Sequence, residues 1–265
     1  MYASLAGKRA VVLGGSRGIG RAIALRLADE GCHVLIDYAH ATEAAEETAA
    51  ECRSRGIESE AVRADIGDRA AVAELFERVA TWGGLDVLVS NAARGLERPR
   101  PALEQRPKHL HATMDVNVFG PWQAVQAAVP LMAERGGGSV VHLLSPGAWT
   151  YMPDYAAVAV SKAALASLTR YLAVELAPRG IRVNAVSAGW VEASEGEHSY
   201  RSGVSDAVRP HVPGGRNVRP EDVAAAVAWI CSDQAPMLVG ETVHLDGGFG
   251  LAAWGAILGP PQDAP

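Results

Sequence analysis

Arg9-Ala10-Val11-Val12-Leu13-Gly14-Gly15-Ser16-Arg17-Gly18-Ile19-Gly20 is the stretch from which the fold is read. Its first five residues are short, apolar and partly β-branched, the composition of a strand buried on both faces of a parallel sheet. Gly14, Gly18 and Gly20, spaced G-x-x-x-G-x-G, then turn the chain into a helix expected over Arg21 to Glu30. Gly31 stops that helix where glycine adopts the left-handed conformation most cheaply. A tight glycine turn into a helix aims free backbone N–H groups and the positive helix end at one point, which suits a pyrophosphate. A plain glycine turn would satisfy the spacing alone; the flanking strand and helix favour nucleotide binding.

The same alternation continues outward. Strands are expected at His33–Ile36, Ser59–Ala64, Leu85–Val89, Ser139–Leu144, Ile181–Val186 and Glu241–Leu245. Helices are expected at Thr42–Gly56, Arg69–Trp82, about His111–Arg135, about Tyr155–Ala177 and Pro220–Ser232, and residues 94–108, with three Arg-Pro pairs, as a loop. Strand-helix alternation builds a parallel sheet covered on both sides. The expected class is α/β: a single Rossmann-type doubly wound domain with about seven parallel strands and helices on both faces. It would occupy 1–258, with a substrate segment at about 194–216 and a disordered tail at 259–265. Ligands in such sheets lie beyond the carboxyl ends of the strands, so the residues following each strand carry the function.

Composition narrows the partners. The 265 residues hold 24 Lys+Arg against 30 Asp+Glu, a net charge of −6, which disfavours a general nucleic-acid or anionic-membrane binder. Three scattered cysteines, Cys32, Cys52 and Cys231, form no C-x-x-C pair, so neither a disulfide framework nor a metal site is expected. The start lacks a signal-peptide apolar run and no stretch reaches 18 consecutive apolar residues; a cytoplasmic location is expected.

The strand ends carry motifs in order. Gly14-x-x-x-Gly18-Ile19-Gly20 is followed by Asp65-Ile66 after the third strand and Ser90-Asn91-Ala92-Ala93 after the fourth. Asn117 stands in Asp115-Val116-Asn117-Val118, Ser145 after the fifth strand, and Lys162 in Ser161-Lys162-Ala163-Ala164. Val183-Asn184-Ala185-Val186-Ser187-Ala188-Gly189 and Asp246-Gly247-Gly248 close the series. Together, over about residues 5–250, they resemble the short-chain dehydrogenases/reductases. The resemblance implies a nicotinamide cofactor bound by Gly14, Ser16, Arg17, Gly18, Ile19, Gly20, Tyr38, His40, Asp65, Ile66, Asn91, Ala92, Ala93, Lys162, Gly189 and Val191. It implies catalytic parts for Ser145, Lys162 and Asn117, and pairing of copies into a homotetramer.

One departure is decisive. The family's usual Tyr-x-x-x-Lys places tyrosine four before the lysine and about thirteen after the serine; both counts land on Val158, which has no proton to give. Tyr155 lies seven before Lys162, nearly two helical turns, so the two would share a helix face about 10.5 Å apart along the axis. Tyr-x6-Lys resembles the enoyl-acyl carrier protein reductases of the superfamily, and the run from Val160 to Leu176 resembles their NADPH-dependent bacterial branch. Their chemistry needs a phenol at an enolate oxygen, away from the carbon that receives hydride. Tyr155 is therefore the first candidate acid and Tyr151 a second, or an acyl-pocket wall. The expected activity is reduction of an α,β-unsaturated carbonyl, such as a carrier-bound enoyl thioester. The alternatives are reduction of a ketone, with Tyr155 or Ser145, on a polyketide-like or other specialised-metabolism substrate, or nucleotide binding without turnover.

Arg17 favours NADPH, because a guanidinium can meet a 2′-phosphate, and the resemblance adds His40, which follows the second strand where that branch often has arginine; Asp37 favours NADH, because an acid there can hold ribose hydroxyls. Oligomerisation is expected from Val125, Val129, Leu165, Leu168 and Leu172, which spread apolar surface beyond one helix stripe. His109 and His111 are expected in solvent, and Trp122 in the core or a pocket wall.

Overall fold

The computed structural model describes residues 2–95, 100–192 and 201–252. Seven strands form one parallel sheet: β1 (Arg9–Leu13), β2 (His33–Tyr38), β3 (Ser59–Arg63), β4 (Val87–Ser90), β5 (Gly138–Leu144), β6 (Ile181–Ala188) and β7 (Thr242–Leu245). Their spatial order is β3-β2-β1-β4-β5-β6-β7. The order reverses direction between β1 and β4, and the crevice at such a switch point is where a parallel sheet receives its ligand.

The helices are α1 (Gly18–Asp29), α2 (Thr42–Arg53), α3 (Arg69–Thr81), α4 (Pro107–Met114), α5 (Gly120–Glu134), α6 (Ala156–Leu176), α7 (Arg201–Val208) and α8 (Pro220–Cys231). Successive strand residues point to opposite faces, so each strand feeds two cores. Ala10 and Val12 of β1 join Val34 and Ile36 of β2 against α1, α2 and α8. Val11 and Leu13 join Leu35, Leu88 and Val140 against α3, α5 and α6. Each fully buried Val or Leu contributes about 1.5–3 kcal/mol relative to exposure. That double layer anchors the strand ends from which the site is built.

One helix expectation changes. The helix expected over His111–Arg135 is interrupted: α4 ends at Met114, a π-helical turn covers Asp115–Phe119, and α5 begins at Gly120. Pro121 has no N–H to return to the Asn117 carbonyl four residues back, and a Cβ on Gly120 would lie 2.4 Å from the Ile66 carbonyl oxygen. The chain must therefore widen there and enter α5 on a glycine. Within the segment 194–216, residues 201–208 are helical, and 194–200 lie outside the described residues, as does the tail 259–265.

The residues read as an outer apolar surface are mostly core. Val125, Val129, Leu165 and Leu172 are buried within this chain, and Leu168 packs against the same clusters. The exposed apolar side chains of these helices are instead Val160, Tyr171 and Val174 of α6, with Phe119 and Trp122 at the start of α5. Trp122 is thus a surface residue and not a core or pocket wall. Among the described residues, the segment long and apolar enough to cross a membrane is Ala156–Arg179, which is α6 and the turn after it, packed against the sheet.

Candidate active site

The glycine loop leaves β1 along a path that side chains would block. Gly14 has φ +71°, and a Cβ on it would lie 2.6 Å from Ala92 Cα. A Cβ on Gly20 would lie 2.1 Å from the Gly14 carbonyl oxygen. Gly18, at φ +54°, would instead point its Cβ into open space. Arg17 is the N-cap of α1 and makes no side-chain capping bond, so the first N–H groups of the helix lack partners within it. This cradle of free N–H groups beneath an open glycine fits the pyrophosphate of a dinucleotide.

The loop is held from below. Asn91 Nδ2 donates to the Gly14 carbonyl at 2.8 Å, and Asp37 Oδ2 accepts from Gly14 N–H at 3.2 Å. Both side chains expected at the cofactor therefore brace the loop that would carry it. Asp37 is buried, facing the loop and not a ribose. Burial pushes its carboxyl up to about 7 against the opposing backbone hydrogen bond from Gly14, and its Oδ1 has no partner. Asp37 consequently loses its weight as a reader of NADH.

Other expected contacts divide in the same way. Arg17 and His40 are exposed beyond the ends of β1 and β2. Tyr38 is buried in the core, and Ser16 is buried with its carbonyl accepting from Thr48 Oγ1 at 3.1 Å. Asp65 is exposed and receives Gly67 N–H, whereas the Ile66 side chain belongs to the core and leaves only its backbone toward a ligand. Ala92 N–H donates to the Leu13 carbonyl; Ala93 is exposed beside it. Ile19 is half-buried on α1; Gly189 follows β6 and donates to the Leu245 carbonyl, and Val191 bridges to Val218.

Three reactive side chains converge on the end of β5. Tyr155 Oη donates to Ser145 Oγ at 3.4 Å, a long contact, and the half-buried ring crosses Gly147, where a Cβ would lie 2.8 Å from Tyr155 Cδ1. Lys162 Nζ is buried and donates to the Leu143 carbonyl at 2.7 Å. Burial pulls its ammonium down to about 8. His142, on the same strand, is buried and pushed down to about 3, chiefly by burial and then by Lys162. It stays neutral, sharing a 2.9 Å hydrogen bond with Thr169 Oγ1.

The route of Tyr155 differs from the sequence expectation. It is the N-cap of α6 and not part of its regular turns, with φ −107° and ψ 7°. Asp154 just before it has φ +57°, the left-handed region that non-glycine residues rarely occupy. That backbone sets the phenol over Gly147, within reach of Ser145. Tyr151 is 88% exposed and joins neither group. Sequence reading missed Gly147 and Asp154; the signal was a glycine two after the serine and an acid just before the tyrosine.

The family model described as "Enoyl-(Acyl carrier protein) reductase" matches residues 14–250. The chain belongs to the short-chain dehydrogenase/reductase family. It is 36% identical over 243 residues to the 3-oxoacyl-(acyl-carrier-protein) reductase FabG of Staphylococcus aureus, covering 91% of this chain and 98% of that protein. It is 36% identical over 259 residues to 3beta-hydroxysteroid dehydrogenase 1 of Eggerthella lenta, covering 95% and 97%. The crystal structure of L-sorbose reductase from Gluconobacter frateurii, complexed with NADPH and L-sorbose, superposes with TM-score 0.86 at 29% identity, covering 94% and 98%. This short-chain dehydrogenase/reductase is an NAD(P)-dependent oxidoreductase.

Asn117 sits in the π-helical turn of this short-chain enzyme, fully buried and pinned on three sides. Its Oδ1 accepts from Arg94 N–H at 2.7 Å, and its Nδ2 faces the Arg94 carbonyl at 3.2 Å and Ser161 Oγ at 3.0 Å. Ser161 Oγ–H in turn donates to the Val158 carbonyl at 2.7 Å. The side chain of Asn117 therefore ties the segment after β4 to the first turns of α6. Against that tie lies a cleft of about 330 Å³, lined by Arg94, Arg100, Arg106, Lys108, His109 and Val158. His109, expected in solvent, is half-buried in its wall, and the expected loop 94–108 already enters α4 at Pro107.

Proposed function

We propose that this enzyme reduces a carbonyl group with NADPH, using Tyr155 as proton donor and Ser145 as its hydrogen-bonding partner. The observation that carries this is the approach of Tyr155 Oη to Ser145 Oγ despite Val158 at the usual tyrosine position. Two hydroxyls at one point form a polar notch for a single oxygen that becomes negative, and donors placed where charge develops are the largest catalytic contribution. The bound reduced nicotinamide supplies the hydride. Tyr155 gives its proton to the substrate oxygen while Ser145 holds that oxygen in line. Lys162 keeps a buried positive charge at the end of β5, on the Leu143 carbonyl two residues before Ser145, favouring the phenolate that Tyr155 becomes. The relatives named above are carbonyl reductases or alcohol dehydrogenases by their names, which agrees with this choice.

Reduction of an enoyl thioester is the second reading, supported by the Tyr-x6-Lys spacing and by the description of the matching family model. The sequence ranked it first; the Tyr155–Ser145 contact moves it second, because the phenol meets the serine from the N-cap of α6. Arg17 and His40 remain the basis for NADPH, now without opposition from Asp37. The cytoplasm, with its reduced pyridine nucleotide pool, is the compartment in which we place the activity. Oxidation of NADPH and NADH is to be followed with a ketone panel and with crotonyl thioester. Ketone turnover with NADPH preferred is expected; turnover of crotonyl thioester alone would overturn the carbonyl reading in favour of the second.

A further inference from the structure

We infer that the basic cleft beside Val158 is a substrate subsite for an oxyanion, a carboxylate or phosphate group carried by the carbonyl substrate. This rests on the carbonyl-reductase reading above and gives that reading a substrate class: small, anionic carbonyl compounds. In a chain of net charge −6, residues 94–109 hold five Lys/Arg against two Glu. Four permanent cations, Arg94, Arg100, Arg106 and Lys108, line a space of about 330 Å³, and no carboxylate lines it among the described residues. Arg100, Arg106 and Lys108 form no salt bridge among the described residues either. Gathering Arg100, Arg106 and Lys108 on one concave wall is unfavourable unless an anion neutralises them, and such a wall raises the local concentration of anions.

Position links the charge to the reaction. The cleft floor is Ala157 and Val158 in the first turn of α6, directly after Tyr155. Its rim at Arg94 is fixed by two backbone hydrogen bonds to Asn117, and Asn117 is tied through Ser161 to the Val158 carbonyl. The Gln105 side chain donates to the Arg100 carbonyl at 3.0 Å, bracing the lining segment between them. Tyrosine at 158 would place a phenol on this floor; valine leaves it small. The volume is in the range of small-ligand sites, and guanidinium groups pair with planar oxyanions in bidentate fashion. A neutral acyl chain laid here would strip water from Arg100, Arg106 and Lys108 without replacing it, which disfavours long fatty substrates.

The test uses the NADPH-saturated enzyme, so that the cofactor's own phosphates already fill their site. Calorimetric titration with inorganic phosphate and with malonate is compared between the wild type and an Arg100→Ala/Arg106→Ala variant. Saturable binding weakened tenfold or more in the variant, with unchanged NADPH affinity, is expected. Tighter phosphate would mark a phosphorylated substrate and tighter malonate a carboxylated one. No saturable binding at 10 mM, or equal binding to both proteins, overturns the subsite. A parallel assay compares neutral, carboxylated and phosphorylated ketones. If neutral ketones turn over and the variant leaves KM for the charged ketones unchanged, the subsite falls while the reductase stands. If anion binding depends on the arginines but no ketone is reduced, the reductase reading falls alone.

Discussion

Valine at position 158 removes the usual acid, and the burden passes to Tyr155. Tyr155→Phe deletes one hydroxyl and keeps the ring on Gly147. A lost transition-state donor costs about 10²–10³ in kcat. Expected is that loss with NADPH KM little changed, read by steady-state kinetics; near-wild-type turnover would reject Tyr155 as the donor. Lys162 sets the pH range. Its ammonium, pulled down to about 8 by burial, is charged at neutral pH and discharges above 8. Reductive kcat should therefore fall as pH rises through about 8, and a profile flat to pH 9.5 would exclude this role. Asp37 supplies a stability signal of its own. Its folded pKa, near 7, exceeds the ordinary 3.8, so its contribution is full below 3.8 and is lost as pH rises through 7. Thermal melts from pH 5 to 8.5 should show wild type losing stability more steeply than Asp37→Asn, whose amide oxygen can still accept from Gly14. Parallel curves would show that Asp37 does not titrate there.

At the scale of elements, the strand ends were legible and the turns between them less so. Apolar runs such as Arg9–Leu13 and Ile181–Ala188 declare strands because both their faces are buried. The glycine loop was legible because its spacing has a backbone reason. Gly20 faces the Gly14 carbonyl and Gly18 faces open space, which separates two substitutions. Gly20→Ala should lower both melting temperature and NADPH affinity, since two backbone segments collide. Gly18→Ala should cost about 1–2 kcal/mol of backbone strain and mainly weaken NADPH, whose phosphates would meet the new methyl. Equal losses of affinity and stability in both would mean that the cofactor lies elsewhere. The π-helical turn at Asn117 was not legible. Its cause is three-dimensional: a side chain caught between the Arg94 backbone and Ser161, and a glycine under the Ile66 carbonyl. Helical spacing likewise could not show that Tyr155 caps α6 from outside its regular turns, because the left-handed Asp154 lies outside any periodicity.

For the whole molecule, the sequence pattern could say that α5 and α6 carry surplus apolar surface, but not which residues remain after the chain has packed. Val125, Leu165 and Leu172 are spent on its own cores. What remains on α6 is Val160, Tyr171 and Val174, exposed by 53%, 68% and 73%. At 100° per residue, Tyr171 lies about 20° and Val174 about 40° from Val160 around the axis, so the three form one stripe along the helix. A stripe of this kind on one helix is self-complementary about a two-fold axis, the commonest way in which identical chains pair. Phe119 and Trp122 at the start of α5 extend the exposed apolar surface on the neighbouring helix. The expectation is an assembly larger than the 27.7 kDa chain, a dimer through α6 or the tetramer that the family resemblance implied. Sedimentation velocity at micromolar concentration should show it. Val174→Asp with Tyr171→Asp should shift the population toward monomer, because each copy would bring buried like charges to the same contact. Neither side chain touches Tyr155, Ser145 or Lys162, so NADPH binding by the monomer should persist, which separates loss of pairing from loss of folding. A wild type that sediments as a monomer would remove the α6 stripe as an interface.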